Sequence, residues 1–291
     1  MFDKIVFYNS FGAGDIYESR EFVKGWMKLV PGKEYYYAHG KNPKIIRDIP
    51  EIESIEVTPV MDSMRDAFEL DGILYVNTWI GRDGKYILPG IGCTVEEIYR
   101  MHNDILRRLG LGQLPGKPID YIPTFDYTVY PDISKVTDFV LSDTRDKIII
   151  DNGFVQSNQA QNFDFNPIIT RLSGVYPDKL FITVQKIQYG NFDNVVSAGD
   201  IIQSSDTFDL VELAYLSHFC SCLIGRNSGP HVHMQNYANC MDSTKKLASF
   251  TYTVTGSSFV VNTEVMIRKY WAPYENDDET FRRCKEIIDE Q

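Results

Sequence analysis

Several features that define other protein classes are missing from this sequence. It has no uninterrupted apolar run of about 18–20 residues, so we expect no membrane span. Its first residues enter an apolar strand at once, without the basic, apolar and cleavage regions of a signal peptide. Its 5 cysteines, an odd number placed mostly within apolar segments, predict reduced core residues and no disulfide framework. Together these absences predict a soluble, cytoplasmic protein.

Positive charge is also scarce. Lys and Arg number 29 against 40 Asp and Glu, which gives a net charge of −11. Sequence-independent binding of nucleic acid needs a basic surface, so DNA and RNA are not expected as partners. Cys220 and Cys222 have no second pair at a zinc-site spacing, so no metal site is predicted. A small anionic ligand is still allowed, because one pocket needs only local positive charge.

The apolar residues that are present follow two kinds of spacing along the chain, one typical of strands and one typical of helices. A chain of 291 residues with 43% apolar content can bury one large core or two ordinary ones. Short apolar runs are separated by helical patterns in both halves, which predicts βαβ units and parallel sheets. The fold class expected is α/β, with two Rossmann-like domains facing across a cleft and a ligand at the carboxyl ends of the strands. We predict domains at 1–140 and 141–270, with a helix at 271–291 packing back on the body.

One stretch in the second half carries the clearest chemical signal. The apolar run 219–224 predicts a short buried strand, and the segment 225–231, Gly-Arg-Asn-Ser-Gly-Pro-His, predicts a tight turn and a helix start. Ser228 or Gly229 is the expected cap, with Pro230 in the first turn. Backbone N–H groups at such a start attract anions, and Arg226 and His231 would add positive charge. This pattern predicts a nucleotide-diphosphate site.

Two motifs together resemble the heptosyltransferase-like glycosyltransferases, a family with the two-domain GT-B fold. The first is Gly12-Ala13-Gly14-Asp15, which follows an N-terminal strand and opens a helix. The second is the 224–231 segment, preceded by the helix that begins at Asp209. The chain departs from the family after Ser-Gly-Pro, where it has His-Val-His-Met, and it is shorter than typical members. The resemblance therefore implies transfer of a sugar from a nucleotide-diphosphate sugar, with the sugar left open.

The resemblance places the catalytic base at Asp15, in the N-terminal, acceptor-binding half. An alternative for Asp15 is a helix N-cap carboxylate, whose backbone hydrogen bonds would lower its basicity. Asp83 is the reserve candidate for the base. Trp79, with Tyr86 or Tyr36, would form an aromatic platform for an acceptor sugar, although tyrosine-rich strands are more often core.

The C-terminal half is expected to bind the donor. The diphosphate group would be held without a metal, because backbone amides and a cation supply the compensating charge. His233 points away from His231 on a helix and is expected to be structural, and Lys186 would end a strand beside the ligand. The alternatives are a plain capped helix with a solvated Arg226 and a solvated polar loop after residue 152. The predicted donor-site residues are Asn152, Gly153, Gln156, Ser157, Gln185, Glu212, Arg226, Asn227, Ser228, Gly229 and His231.

The sequence thus predicts a metal-independent, inverting glycosyltransferase that uses no cofactor beyond its nucleotide-sugar co-substrate. A glycan or another hydroxyl compound would be the acceptor. Two alternatives stay open at this point. One is a nucleotide-sugar epimerase on the same fold, which needs two acid–base groups that the sequence does not single out. The other is a protein that binds a nucleotide sugar or a glycan without catalysis.

Overall fold

The computed structural model describes residues 2–61, 65–79, 94–156, 160–188, 190, 192–252 and 264–290. Within these residues the chain forms two compact units. Unit 1 holds residues 2–126 and Glu264, and unit 2 holds residues 127–252 and 265–290. The boundary therefore lies between Asp126 and Tyr127, earlier than the position 140 expected from the sequence.

Unit 1 is built on a five-stranded sheet with the order β3-β2-β1-β5-β4. The neighbouring strands β1, β2, β3 and β5 are parallel, and only the edge strand β4 runs antiparallel to β5. Among the described residues of this unit, helices α1 and α2 accompany the sheet. The bounds are β1 Lys4–Asn9, α1 Ala13–Leu29, β2 Glu34–His39, β3 Ile52–Ile55, β4 Ala67–Leu70, β5 Ile73–Asn77 and α2 Val95–Arg108.

Helix α1 forms because its start is capped and one of its faces is apolar. Gly12 has extended backbone geometry at the N-cap, and its N–H donates to the side chain of Asp15. Phe22 and Trp26 are fully buried. The Phe22 ring stacks on His102 of α2, with ring centroids 5.0 Å apart, and Trp26 Nε1 donates to His102 Nδ1 at 3.0 Å. These contacts fix the direction of α1 and hence the position of its first turn.

Unit 2 is built on a six-stranded sheet with the order β11-β10-β9-β6-β7-β8, parallel throughout. One of its cores lies under α4 and α9, where Cys284 and Ile287 of α9 pack on the sheet. The bounds are α3 Ile133–Ser142, β6 Asp146–Asp151, α4 Asn166–Val175, β7 Lys179–Thr183, β8 Val195–Ser197, α5 Ala198–Ile202, α6 Leu210–Leu216, β9 Cys222–Arg226, α7 Gly229–His233, α8 Tyr237–Cys240, β10 Lys246–Phe250, β11 Arg268–Ala272 and α9 Asp277–Asp289.

The predicted alternation of strands and helices is confirmed in both units, with one shift that matters for function. The strand expected at 219–224 is β9, Cys222–Arg226, and it follows a 3₁₀ turn at Ser217–Phe219. The prediction was wrong because Phe219 is apolar but exposed at the surface. Arg226 therefore belongs to the buried end of a strand and not to the turn after it.

Candidate functional site

The predicted donor residues come together at one edge of the unit 2 sheet. Strands β9, β6 and β7 are adjacent and parallel, so their carboxyl ends lie side by side. Asn152 and Gly153 follow β6, Gln185 follows β7, and the 227–231 segment follows β9. This edge is the usual position of ligands in parallel α/β sheets.

The start of α7 is held by a carboxylate that no sequence motif marks. Ser228 is the N-cap, as predicted, and its hydroxyl donates to Asp151 Oδ2. The same oxygen accepts the His231 N–H at 3.2 Å, and Asp151 Oδ1 accepts the Gly153 N–H at 2.9 Å. An anion from the chain itself thus accepts the His231 N–H, one of the N–H groups at the start of this five-residue helix that a phosphate was expected to take, and it leaves the space beside Gly229 open. The only indication of this role in the sequence is that Asp151, a charged residue, directly follows the apolar run 148–150.

His231 does not supply positive charge. Its ring is completely buried and Nε2 is 2.7 Å from the Ser249 hydroxyl. Burial lowers the pKa of His231 to about 3, so the imidazole is neutral at physiological pH. The expectation that His231 would contribute a cation beside the turn was therefore wrong. The His231 ring instead packs behind the turn. A Cβ added to Gly225 would stand 2.8 Å from His231 Nδ1.

The Arg226 side chain also binds groups of the chain itself. Its guanidinium donates to the backbone carbonyls of Phe163, Asn152, at 2.6 Å, and Gly153. It also lies over the Phe163 ring, 5.3 Å from the centroid. Neither sequence alternative, a diphosphate contact or a solvated side chain, describes this residue. Arg226 instead ties the loop after β6 to the end of β9, and its charge lies near the buried charge of Asp151.

Open space at this edge is found beside Gly229. An added Cβ on Gly229 meets no atom within 4 Å, in contrast to Gly225. Asn152 forms two hydrogen bonds with the backbone of Gln185, at 2.9 and 2.8 Å, which join the ends of β6 and β7. The Gln185 side chain itself is exposed. A ligand at this edge would therefore meet the backbone at Gly229 and the side chain of Gln185.

The other predicted donor residues differ in accessibility. Gln156 is exposed, whereas Asn227 and Glu212 are buried, at 5% and 0% exposure. Ser157 lies outside the described residues. Lys186 is exposed, with Nζ 3.5 Å from an Asp200 carboxylate oxygen. His233 is buried with Nδ1 2.7 Å from the Gly229 carbonyl oxygen, in agreement with a structural role.

In unit 1, Asp15 lies in the first turn of α1, next to the carboxyl end of β1. It is not the N-cap but the third helical residue, and its Oδ2 accepts the Gly12 N–H at 2.8 Å. This backbone bond and the charge of Lys41 lower its pKa, but burial has the larger effect, so the pKa of Asp15 is raised above its ordinary value. The N-cap alternative for Asp15 is therefore wrong in position, because Gly12 is the cap, although the backbone hydrogen bond that it implied is present. The residue supports the helix start and keeps the strengthened basicity that a general base requires.

The acceptor-platform hypothesis finds less support. Trp79 is buried, at 9% exposure, which leaves little of its ring for stacking on a sugar. The Tyr36 hydroxyl donates to Glu34 Oε2 at 2.9 Å. Tyr86 and Asp83 lie outside the described residues. The polar groups that do line the strand ends in this unit are Asn9, His39, Asn77 and Thr78.

The described residues offer neither a metal site nor a membrane-spanning helix. In the described ranges no group of three or more His, Cys, Asp or Glu side chains is placed to hold a metal ion. No helix among them is long and apolar enough to cross a membrane. A cavity of about 580 Å³ lies between β10, β11 and α9, and none of the described donor-site residues lines it.

The fold of the two units is that of the GT-B glycosyltransferases, as the sequence predicted. The ADP-heptose heptosyltransferase II of E. coli matches with a TM-score of 0.56 at 12% identity, over 99% of this chain and 98% of that one. An E. coli heptosyltransferase solved with ADP-2-deoxy-2-fluoro heptose gives 0.56 at 9%, over 98% of both chains. A glycosyl transferase family 9 protein of Veillonella parvula gives 0.51 at 13%, over 99% and 91%. No protein-family model and no curated protein matches the sequence.

Proposed function

We propose that this protein is a glycosyltransferase that moves a sugar from a nucleoside-diphosphate sugar to a hydroxyl group of a glycan or similar acceptor. The observation that carries the proposal is Asp15. It is a partly buried carboxylate of raised pKa at the strand edge of unit 1, in a chain with the GT-B fold. Heptosyltransferases with this fold are solved with ADP-linked heptose or ADP. For this chain the proposal extends only to the class of donor.

The chemistry proposed is a single inverting displacement. The Asp15 carboxylate accepts the proton of the acceptor hydroxyl, so that the O–H bond breaks as the oxygen attacks the anomeric carbon of the donor. The bond between that carbon and the diphosphate oxygen breaks, and the diphosphate leaves with the electron pair. Asp15 then releases its proton to water. All atoms and electrons of this displacement are accounted for without a redox partner or a further cofactor.

The donor is assigned to the strand edge of unit 2. Gly229 offers the space, and we infer that its backbone N–H hydrogen-bonds a diphosphate oxygen while Gln185 contacts the sugar or ribose. Arg226, Asp151 and His231 act behind this edge, because they hold the loop after β6 and the start of α7 in place. No metal is needed in this proposal, because hydrogen bonds to the diphosphate stabilise its charge as it leaves.

A thermal-shift panel tests the donor class. Nucleoside diphosphates and their sugars are added without metal to the full chain, and the melting temperature is compared with that of the free protein. A ligand at 100 times its dissociation constant adds about 2.7 kcal/mol to the free energy of unfolding, so we expect at least one member to raise the melting temperature clearly. The corresponding free sugars are the control and should have no effect. A panel in which no nucleotide raises the melting temperature would contradict the proposal.

A further inference from the structure

A second carboxyl lies beside Asp15, and the proposed reaction does not yet use it. Glu18 follows Asp15 by three residues in α1, so the two side chains are neighbours on one helix face. Glu18 is only 7% exposed. Among the described residues, no hydrogen bond or ion pair is found for its carboxyl group. A buried carboxyl without a donor or a cation is costly when it is ionised.

The surroundings of the two carboxyls differ. The Asp15 carboxylate has the Gly12 N–H and the charge of Lys41 to stabilise its ionised form. The surroundings of Glu18 have the opposite effect. Burial and the negative charge of Asp15 both raise the pKa of Glu18 well above its ordinary value. From β2, the buried Tyr37 hydroxyl also feels the Asp15 charge, and burial raises its pKa to about 12, so it stays neutral. Asp15 is therefore the group that ionises first.

We propose that Asp15 and Glu18 work as a carboxyl pair that carries one proton and one negative charge at a pH at which two separate carboxyls would both be ionised. In this pair Asp15 is the base, and Glu18 is a positioning residue that acts through it. The neutral Glu18 side chain fills the space beside Asp15 and keeps water away from its carboxylate, which maintains the raised basicity. During transfer Asp15 gains and later loses a proton, while Glu18 keeps its own throughout. The role in transfer rests on the proposed function, whereas the charge state of the pair does not.

The charge state can be measured without any substrate. Protein labelled with ¹³C at the glutamate side-chain carboxyl is titrated by NMR, and the Glu18 signal is assigned by its absence in Glu18→Gln. Glu51→Gln, at an exposed site, is the matched control and must leave that signal in place. We expect the Glu18 midpoint well above 4.5, the ordinary value for glutamate, and we expect it to fall in Asp15→Asn because the neighbouring charge is gone. A midpoint near 4.5, or one that Asp15→Asn does not move, would overturn the proposal.

Stability against pH gives a second readout that needs no substrate. The folded protein retains the Glu18 proton at a pH at which the unfolded chain has released it. The free energy of unfolding therefore decreases as pH rises above about 4.5 and until the folded-state pKa is passed. Glu18→Gln cannot ionise, so its stability relative to the wild type should increase across the same window. A difference that stays constant with pH would show that Glu18 is already ionised in the folded protein.

The positioning role is then read from the pH profile of transfer. Glu18→Gln keeps a neutral side chain of similar size, so the acid limb set by Asp15 should stay in place. Glu18→Ala admits water to Asp15, and its acid limb should move to lower pH with a reduced rate. Equal profiles for both variants would contradict this role. If no nucleotide sugar is a substrate, the proposed function fails, while the NMR and stability results still decide the charge state of the pair.

Discussion

Asp15→Asn is expected to lower the rate of sugar transfer by about 10²- to 10⁴-fold, the usual contribution of a positioned general base. The amide cannot accept the proton of the acceptor hydroxyl. Its oxygen can still accept the Gly12 N–H, so the start of α1 and the fold should be retained. Donor affinity should change little, because the donor is assigned to unit 2. Initial rates measured at saturating donor give the comparison.

The pH dependence sharpens this test. Asp15 must be ionised to act as a base, so wild-type activity should fall as pH is lowered through a pKa raised above 3.8. The residual activity of Asp15→Asn should lack that acid limb. Asp104→Asn, at a surface ion pair of α2, is the control and should keep its rate within about twofold. If Asp15→Asn transfers sugar nearly as fast as the wild type, Asp15 is not the base. If it binds donor normally and the wild type shows no turnover either, the protein is a binder.

Asp151→Ala should have the largest effect on stability. The carboxylate accepts hydrogen bonds from the Ser228 hydroxyl and from the N–H groups of Gly153 and His231, all of them buried. Each buried donor without a partner costs about 1–3 kcal/mol, so we expect a loss of about 3–5 kcal/mol in the free energy of unfolding. Asp151→Asn keeps one acceptor oxygen and places an amide N–H₂ against the Gly153 N–H, so it should lose about 1–3 kcal/mol. Urea titration of the purified variants measures both values.

A residue on the same strand provides the control. Asp146 begins β6 at the surface and forms an ion pair with Lys179 at 2.7 Å, both side chains being partly exposed. Such a surface pair contributes about 0–1 kcal/mol, so Asp146→Asn should be nearly neutral. If Asp151→Ala were no more destabilising than Asp146→Asn, Asp151 would not be holding the start of α7.

The sequence predicted the architecture well where periodicity is strong. The apolar strands that became β1, β6 and β7 and the helices that became α1 and α9 lie within a few residues of their predicted positions. Strands β10 and β11 were not predicted. Edge strand β11, Arg268–Ala272, is partly exposed throughout and mixes charged with aromatic residues, so its pattern does not indicate a buried strand.

The sequence predicted that several of these residues group at one strand edge, but it did not predict what the charged residues among them contact. Ser228 as cap and the grouping of residues 152, 185 and 229 at one edge follow from local sequence and from parallel topology. The hydrogen bonds of Arg226 could not be predicted from local sequence, because its partners are carbonyl groups of Phe163 and Gly153, which are distant in sequence. Likewise, Asp151 and Glu18 carry no motif. Their roles depend on how deeply they are buried and on which hydrogen-bond donors lie near them. The apolar periodicity of the sequence shows neither of these.

Binding of a nucleoside diphosphate at Gly229 can be measured by calorimetric titration of two matched glycine variants. Gly229 and Gly174 both have open space where a Cβ would point, and Gly174 lies in α4, away from the strand edge. The nucleoside diphosphate that most stabilises the wild type is titrated into Gly229→Leu and Gly174→Leu. We expect at least tenfold weaker binding to Gly229→Leu, whose leucine fills the ligand space, and wild-type affinity for Gly174→Leu. Equal affinity of both variants would show that the diphosphate binds elsewhere.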